Sequence, residues 1–312
     1  MLVLSAPGLI LTSTHWGQWD SLSAALLVGS LLCLTRERGW AWAGGGALAA
    51  WAVLIKPQLA IFVAGFLVGL AMQCRWDSRQ IRCAVAGVGG GVVTAQLILL
   101  PFGMSALSPA PHSLVERLRI AADLYAATTL GAPNLWMFFA RRVWVSDSTV
   151  YLGLQARTLG HLATLAAIVV STVVAHRYRE RLGAELALWL GCFWFFSFIM
   201  LQTRVHERYG LPLVALLAAL AFRRPVGERA PWLWVFGAYT LGFSLAIEAS
   251  LAFGVPGSLR LPIILTGTVL CVLVWCGLLA LPVWTRSTAT VDPGAALGPQ
   301  ERQPAVSAGP VS

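Results

Sequence analysis

The chain has 312 residues, 58% of them hydrophobic, a mean hydropathy of +0.74 and a formal net charge of +9. That much apolar surface excludes a soluble domain, and repeated uncharged runs of about 20 residues read as membrane-spanning helices. Arginines flank those runs and no basic stripe is interleaved with aromatics, so the charge points to orientation in an anionic membrane and not to nucleic acid.

In chain order, apolar runs fall at 21–35, 39–55, 59–72, 83–101, 153–175, 183–201, 210–222, 231–252 and 261–284, with a further short run at 1–14. Backbone groups in lipid must be satisfied within the segment, so each run predicts a helix. The expected fold is an all-α polytopic transmembrane bundle of nine to ten spans over residues 1–284. Placing the connections alternately on two sides puts Arg36, Arg38, Arg75, Arg79, Arg82, Arg177, Arg179, Arg181, Arg223, Arg224, Arg229 and Arg286 on one of them. The positive-inside rule makes that side cytoplasmic.

The opposite, outer side receives "WGQWDS", "KPQ", residues 102–152, "TRVHERYG" and a turn near Arg260. Within 102–152, Leu114, Leu118, Ala121, Ala122 and Tyr125 share a helical face that excludes Glu116, Arg119 and Asp123, the pattern of an amphipathic helix lying in the interface. The tail 285–312 is rich in Pro, Gly, Ala, Ser and Thr, and reads as a disordered cytoplasmic extension. Trp40, Trp42, Trp51, Trp232, Trp234 and Trp284 fit interfacial belts. "GVGGG" at 87–91 suits close helix packing, and Gln96 and His161 suit interhelical hydrogen bonds. Glu248 lies in an apolar run, toward its outer end. The six cysteines have no metal-ligand spacing, and no signal peptide is indicated.

The polar residues of the outer side admit two readings each. Gln18 and Asp20 fit a cap for a helix beginning near Ser21, or a site. Lys56 fits a snorkelling lysine before the Pro57 turn, or a phosphate ligand. Asn134 fits a turn before an interfacial Trp136, and Arg204, His206, Glu207 and Arg208 fit a solvated connection. Yet Lys56 is the single lysine among 22 Lys and Arg residues, and it sits with the other polar singularities on one side. Their connections are too short to carry the charges far from the membrane, where unpaired charge is costly. Arg204, His206, Arg208 and Lys56 could together neutralise an anionic headgroup, with Glu207 orienting one of them. A phosphate leaving group in sugar transfer develops charge that such cations stabilise, while the acceptor hydroxyl needs a carboxylate base.

"GQWDSL", "KPQ", "NLW" and "TRVHERYGLPLVALLAAL", in that order over roughly residues 7–222, resemble motifs of bacterial GT-C glycosyltransferases, polytopic enzymes that use polyprenyl-phosphate-linked sugars. The His-Glu-Arg-Tyr run is the most specific of them. The resemblance implies that His206 and Arg208 face the donor phosphate with Glu207 in support. It implies that Gln18 and Asp20 line a cavity near sugar or acceptor, and that Lys56 is a cavity or phosphate residue; Arg204 stands beside them as a phosphate binder on its charge alone. Gln58, Asn134, Trp136 and Tyr209 join as cavity residues. Expected partners are a polyprenyl-phosphate sugar donor, a lipid or glycan acceptor and membrane lipids. No cofactor is expected, with a divalent metal left open. Such enzymes usually carry their catalytic carboxylate upstream of the GQWD-like motif, so the chain is expected to be a fragment or to use Asp20 as base. A transporter or lipid flippase, and an assembly subunit, are the competing classes.

Overall fold

The computed structural model describes residues 19–284 except 37, 75–76, 106–112, 124–125, 141–144, 225 and 252–256. The 1–14 run, Gln18, Tyr125 and the tail lie outside the described residues. Each of the nine main apolar runs is a helix: α1 (Asp20–Leu34), α2 (Gly39–Ile55), α3 (Leu59–Gln73), α4 (Ser78–Leu99), then, after the segment 102–155, α7 (Ala156–Arg177), α9 (Leu186–Leu201), α10 (Leu211–Arg223), α11 (Ala230–Leu251) and α12 (Gly257–Trp284). That segment carries α5 (Leu114–Asp123), α6 (Trp136–Ala140) and a hairpin of β1 (Val150–Tyr151) with β2 (Leu154–Gln155); α8 (Arg179–Leu182) leads into α9.

Five helical segments, 78–102, 156–177, 179–201, 230–249 and 258–283, are long and apolar enough to cross a bilayer, as a membrane protein requires. The remaining four helices are shorter, α2 with 17 residues, α1 and α3 with 15 each and α10 with 13, so the expected nine to ten spans are not shown. At 1.5 Å per residue they reach about 20–26 Å, short of a hydrocarbon core of about 30 Å. Helices α1, α3 and α10 begin, and α2 ends, at the same polar cluster.

Helix α9 is apolar on every side and lies at the centre, with fourteen of its sixteen residues buried. Against it Trp189, Phe193 and Trp275 stack at 5.7 Å centroid spacings. The Trp189 and Trp275 indoles donate to the Leu278 carbonyl and to Ser197 Oγ, both at 2.9 Å, which fixes α12 to α9. Helices α2 and α4 meet through glycine. A Cβ on Gly46 would run into the Gly87 carbonyl, and one on Gly90 into the Ala43 carbonyl. Thus "GVGGG" is a helix-packing face.

The outward surfaces of α4, α7 and α12 carry exposed Val85, Val88, Leu97, Leu162, Leu165, Val169 and Leu273, the side chains a bilayer would cover. One interface assignment changes. Trp232 is fully buried, with the Arg224 guanidinium 5.1 Å above its ring, so it supports α10 and is no belt residue. His161 is exposed on α7, and Gln96 accepts from Ser105 Oγ at 3.2 Å within the turn that follows α4. Glu248 is exposed. Helix α5 is capped by Ser113, whose Oγ accepts from the Glu116 N–H, and its Leu118 and Ile120 are exposed.

Candidate functional site

The site is assembled from three helix starts. Helix α2 stops at Ile55 because Lys56 precedes a proline, which disfavours helical backbone, and Lys56 adopts φ −137°, ψ 89°. The chain then reverses at once: the Leu59 and Ala60 amides donate to the Lys56 and Pro57 carbonyls at 2.9 and 3.0 Å. The Lys56 side chain is thereby held at the bundle end, where its Nζ makes an ion pair with Asp20 Oδ1. Both side chains are less than 10% exposed. Asp20 is the first residue of α1 and Trp19 occupies the cap position without a side-chain bond. The capping alternative for Asp20 therefore gives way to a pairing 36 positions away in sequence.

Lys56 Nζ also reaches the Arg208 carbonyl at 3.5 Å and lies 5.3 Å from the Tyr209 ring centroid. Tyr209 in turn faces His206 at 5.2 Å between ring centroids. Asp20, Lys56, His206, Arg208 and Tyr209 therefore form one cluster, built from segments that are far apart in the chain. Desolvation, then the Arg208 and Lys56 charges, lower the His206 pKa to about 4. With no ligand bound its imidazole is therefore uncharged at neutral pH.

Beside Lys56, the acceptor atoms Asp20 Oδ2 and Gln58 Oε1 are buried and have no hydrogen-bond partner among the described residues, and the same holds for Thr128 Oγ1 and Asn134 Oδ1 nearby. Buried acceptors are normally satisfied, so the two beside Lys56 are available to hydroxyl or water donors. Glu207 lies in the 3-10 turn Glu207–Gly210, but its side chain is outside the described set. Gly210 ends that turn because Tyr239 and Phe243 of α11 occupy the place a Cβ would take, and Tyr239 Oη donates to the Gly210 carbonyl at 2.9 Å.

The other predicted residues are placed differently. Arg204 does not join the cluster by any bond described; its Nε donates to Asp147 Oδ2 at 2.6 Å, and its backbone sits at φ 64°. Its amide donates to the Ala127 carbonyl at 2.8 Å, and Leu130 and Gly131 bridge to His206. Asn134 and Trp136 serve the C-terminal end of α9. The Leu135 amide, the Trp136 indole and Asn134 Nδ2 donate to the carbonyls of Met200, Leu201 and Gln202 at 3.0, 2.7 and 3.4 Å. A helix end leaves such carbonyls without partners, and here the segment 134–136 supplies them. Asn134 and Trp136 thereby hold that segment against the end of α9.

Asp147, Tyr239 and Gln202, whose Nε2 donates to Thr164 Oγ1 at 3.1 Å, were not legible as participants. Asp147 offered one signal, a carboxylate in a connection that also carries several arginines. Among the described residues no group of three or more His, Cys, Asp or Glu is placed to hold a metal ion.

Two clefts lie away from the cluster. One, of about 450 Å³, is lined by Arg177, Tyr178, Glu180 and Arg181; the other, of about 320 Å³, is an apolar groove among α7, α9 and α12. The first belongs to the opposite bundle end, where Arg181 donates to the Val283 carbonyl, Gln73 to the Gly183 carbonyl, and the buried Arg224 pairs with Glu185 at 3.3 Å. The described contacts thus gather Asp20, Lys56, residues 127–136 and residues 200–210 at one bundle end, and Gln73, residues 181–185, Arg224 and Val283 at the other. No protein-family model matches the chain, no curated protein is detectably similar to it, and no solved structure matches its fold.

Proposed function

We propose that the chain is an integral-membrane glycosyltransferase that moves a hexose, mannose-like, from a polyprenyl-phosphate donor to a lipid or glycan acceptor on the outer face. The observation that carries this reading is the meeting of Asp20, Lys56, His206, Arg208 and Tyr209 at one end of an apolar helical bundle. A lipid phosphate presents its charge at that depth while its tail stays in the bilayer. The N-termini of α1 and α3 and the 3-10 turn leading into α10 lie at the same end, and helix N-termini favour anions.

In this reading Arg208 and His206 receive the donor phosphate. The bond between the anomeric carbon and the phosphate oxygen breaks, and the acceptor oxygen forms the new bond to that carbon. The acceptor proton passes to Asp20 Oδ2, and the phosphate leaves with one more negative charge than it had as a diester. A His206 that is neutral beforehand is suited to this change, because the growing charge favours its protonation when stabilisation is needed. Lys56 holds Asp20 by its other oxygen.

The test uses the full chain in nanodiscs with a polyprenyl-phosphate-linked hexose. His206→Gln and Arg208→Gln should each lower sugar transfer at least tenfold and weaken binding of the polyprenyl phosphate. Unchanged turnover and binding would defeat the phosphate role. Movement of the lipid between leaflets without a new glycosidic bond would identify a transporter instead.

A further inference from the structure

The hairpin of β1 and β2 is unusual for a turn in water. Val150 pairs with Gln155 and Tyr151 with Leu154, which leaves Leu152 and Gly153 as a two-residue loop. Both have positive φ, 51° and 81°, the backbone of a type I′ turn, whose first position favours Asn, Asp or Gly because a Cβ is crowded there. The sequence places leucine there, and that leucine is 96% exposed. Neither its backbone nor its surroundings within the fold reward the choice. Val150, Leu154 and Phe139 are exposed beside it, and Phe139 packs with Trp136 and Tyr151 at 6.0–6.1 Å as an aromatic base.

Chain connectivity says what surrounds this tip. Gln155 is the cap position of α7, and the Ala156 and Arg157 amides donate to the Thr149 and Asp147 carbonyls at 2.9 and 3.0 Å. The hairpin is therefore fixed to the first turn of a 22-residue helix that is long and apolar enough to cross a bilayer. The outward stripe of that helix, Leu162, Leu165, Val169 and Val173, is apolar and exposed. The tip extends only roughly 10 Å from the helix start, taking about 3.3 Å per strand residue.

We propose that the Val150–Gln155 hairpin is a lipid-inserting anchor, with Leu152 entering the headgroup and acyl boundary of the leaflet at the α7 N-terminal end. Transfer of leucine out of water offsets the disfavoured backbone. Because Asp147 at the hairpin base holds Arg204, the anchor also sets the depth of the 203–210 segment. The inference stands apart from the reaction proposed above.

Leu152→Asn decides it by sign. Asparagine relieves the turn, so a hairpin in water gains stability and a hairpin in lipid loses it. In nanodiscs of zwitterionic phospholipid the variant should melt lower by about 2–4 °C. An unchanged or raised Tm overturns the proposal, and a raised Tm of the purified chain would point to a protein partner absent from the disc. An environment-sensitive fluorescent side chain introduced at position 152 gives a second reading. Its emission should fall by half or more when the acyl chains are brominated near the headgroup, and unaltered emission overturns the proposal.

Discussion

The Asp20–Lys56 pair makes a quantitative demand on the protein. Both side chains are nearly inaccessible, and removing one partner of such a pair leaves an uncompensated buried charge, at a cost of about 3–5 kcal/mol. The two single losses should differ. In Asp20→Asn, Lys56 keeps the Arg208 carbonyl and the Tyr209 ring face, the latter contributing about 0.5–2 kcal/mol. In Lys56→Met, Asp20 keeps no described side-chain partner, since Oδ2 had none before. Asp20→Asn should therefore cost about 3 kcal/mol and Lys56→Met about 5 kcal/mol, whereas the double variant should return to within about 1–2 kcal/mol of the parent. Denaturant unfolding in detergent micelles, followed by fluorescence of the 14 tryptophans, measures all four corners of the cycle. Single costs below about 1 kcal/mol that simply add would show a solvated pair and refute the reasoning.

The remaining predictions address other parts of the structure. With the His206 pKa lowered to about 4 from an ordinary 6.5, the folded chain resists a proton that the unfolded chain accepts. Stability should therefore fall as pH drops from about 6.5 toward 4, and His206→Gln should flatten that fall. At pH 5–6, binding of a polyprenyl phosphate should take up a proton, seen as a dependence of the calorimetric heat on buffer ionisation, and His206→Gln should abolish the uptake. Gly46→Ala, whose Cβ would strike the Gly87 carbonyl, should cost about 1–3 kcal/mol or more in unfolding. Gly44→Ala, where the Cβ meets nothing within 4 Å, should be stabilising by about 0.5–1 kcal/mol. Trp136→Phe leaves the Leu201 carbonyl without its indole donor and should cost about 1–3 kcal/mol by thermal unfolding.

Much of the helical layout was legible because lipid and core make the same demand on a run such as 186–201: continuous apolarity with internal hydrogen bonding. The ends of α1, α2 and α3 could be read from Asp20, Pro57 and Arg36, since charge and proline act locally. The meeting of Lys56 with Asp20 and Tyr209 was anticipated from their shared side of the chain, but the pairing itself was not. A singular lysine signals a special environment without naming the atom it faces. Arg204, Asn134 and Trp136 were assigned to a ligand because their residue types suit one, yet the same donors suit a carboxylate or the carbonyls at a helix end. Choosing between those uses requires knowing that 126–136 lies against 200–206, a tertiary fact with no periodic trace. Trp232 illustrates the same limit, since an indole at a belt and an indole beneath an arginine look alike in sequence.

The bond from Trp136 to Leu201 spans 65 positions, and this constrains how the protein is made. Residues 127–136 leave the ribosome well before the carbonyls they grip, and at about 5–20 residues per second the delay is roughly 3–13 s. Throughout that interval the aromatic strap has no helix end to fasten onto, and Lys56 has Asp20 but neither Arg208 nor Tyr209. The polar end of the bundle therefore cannot close until translation has passed Tyr239, whose hydroxyl holds the Gly210 carbonyl.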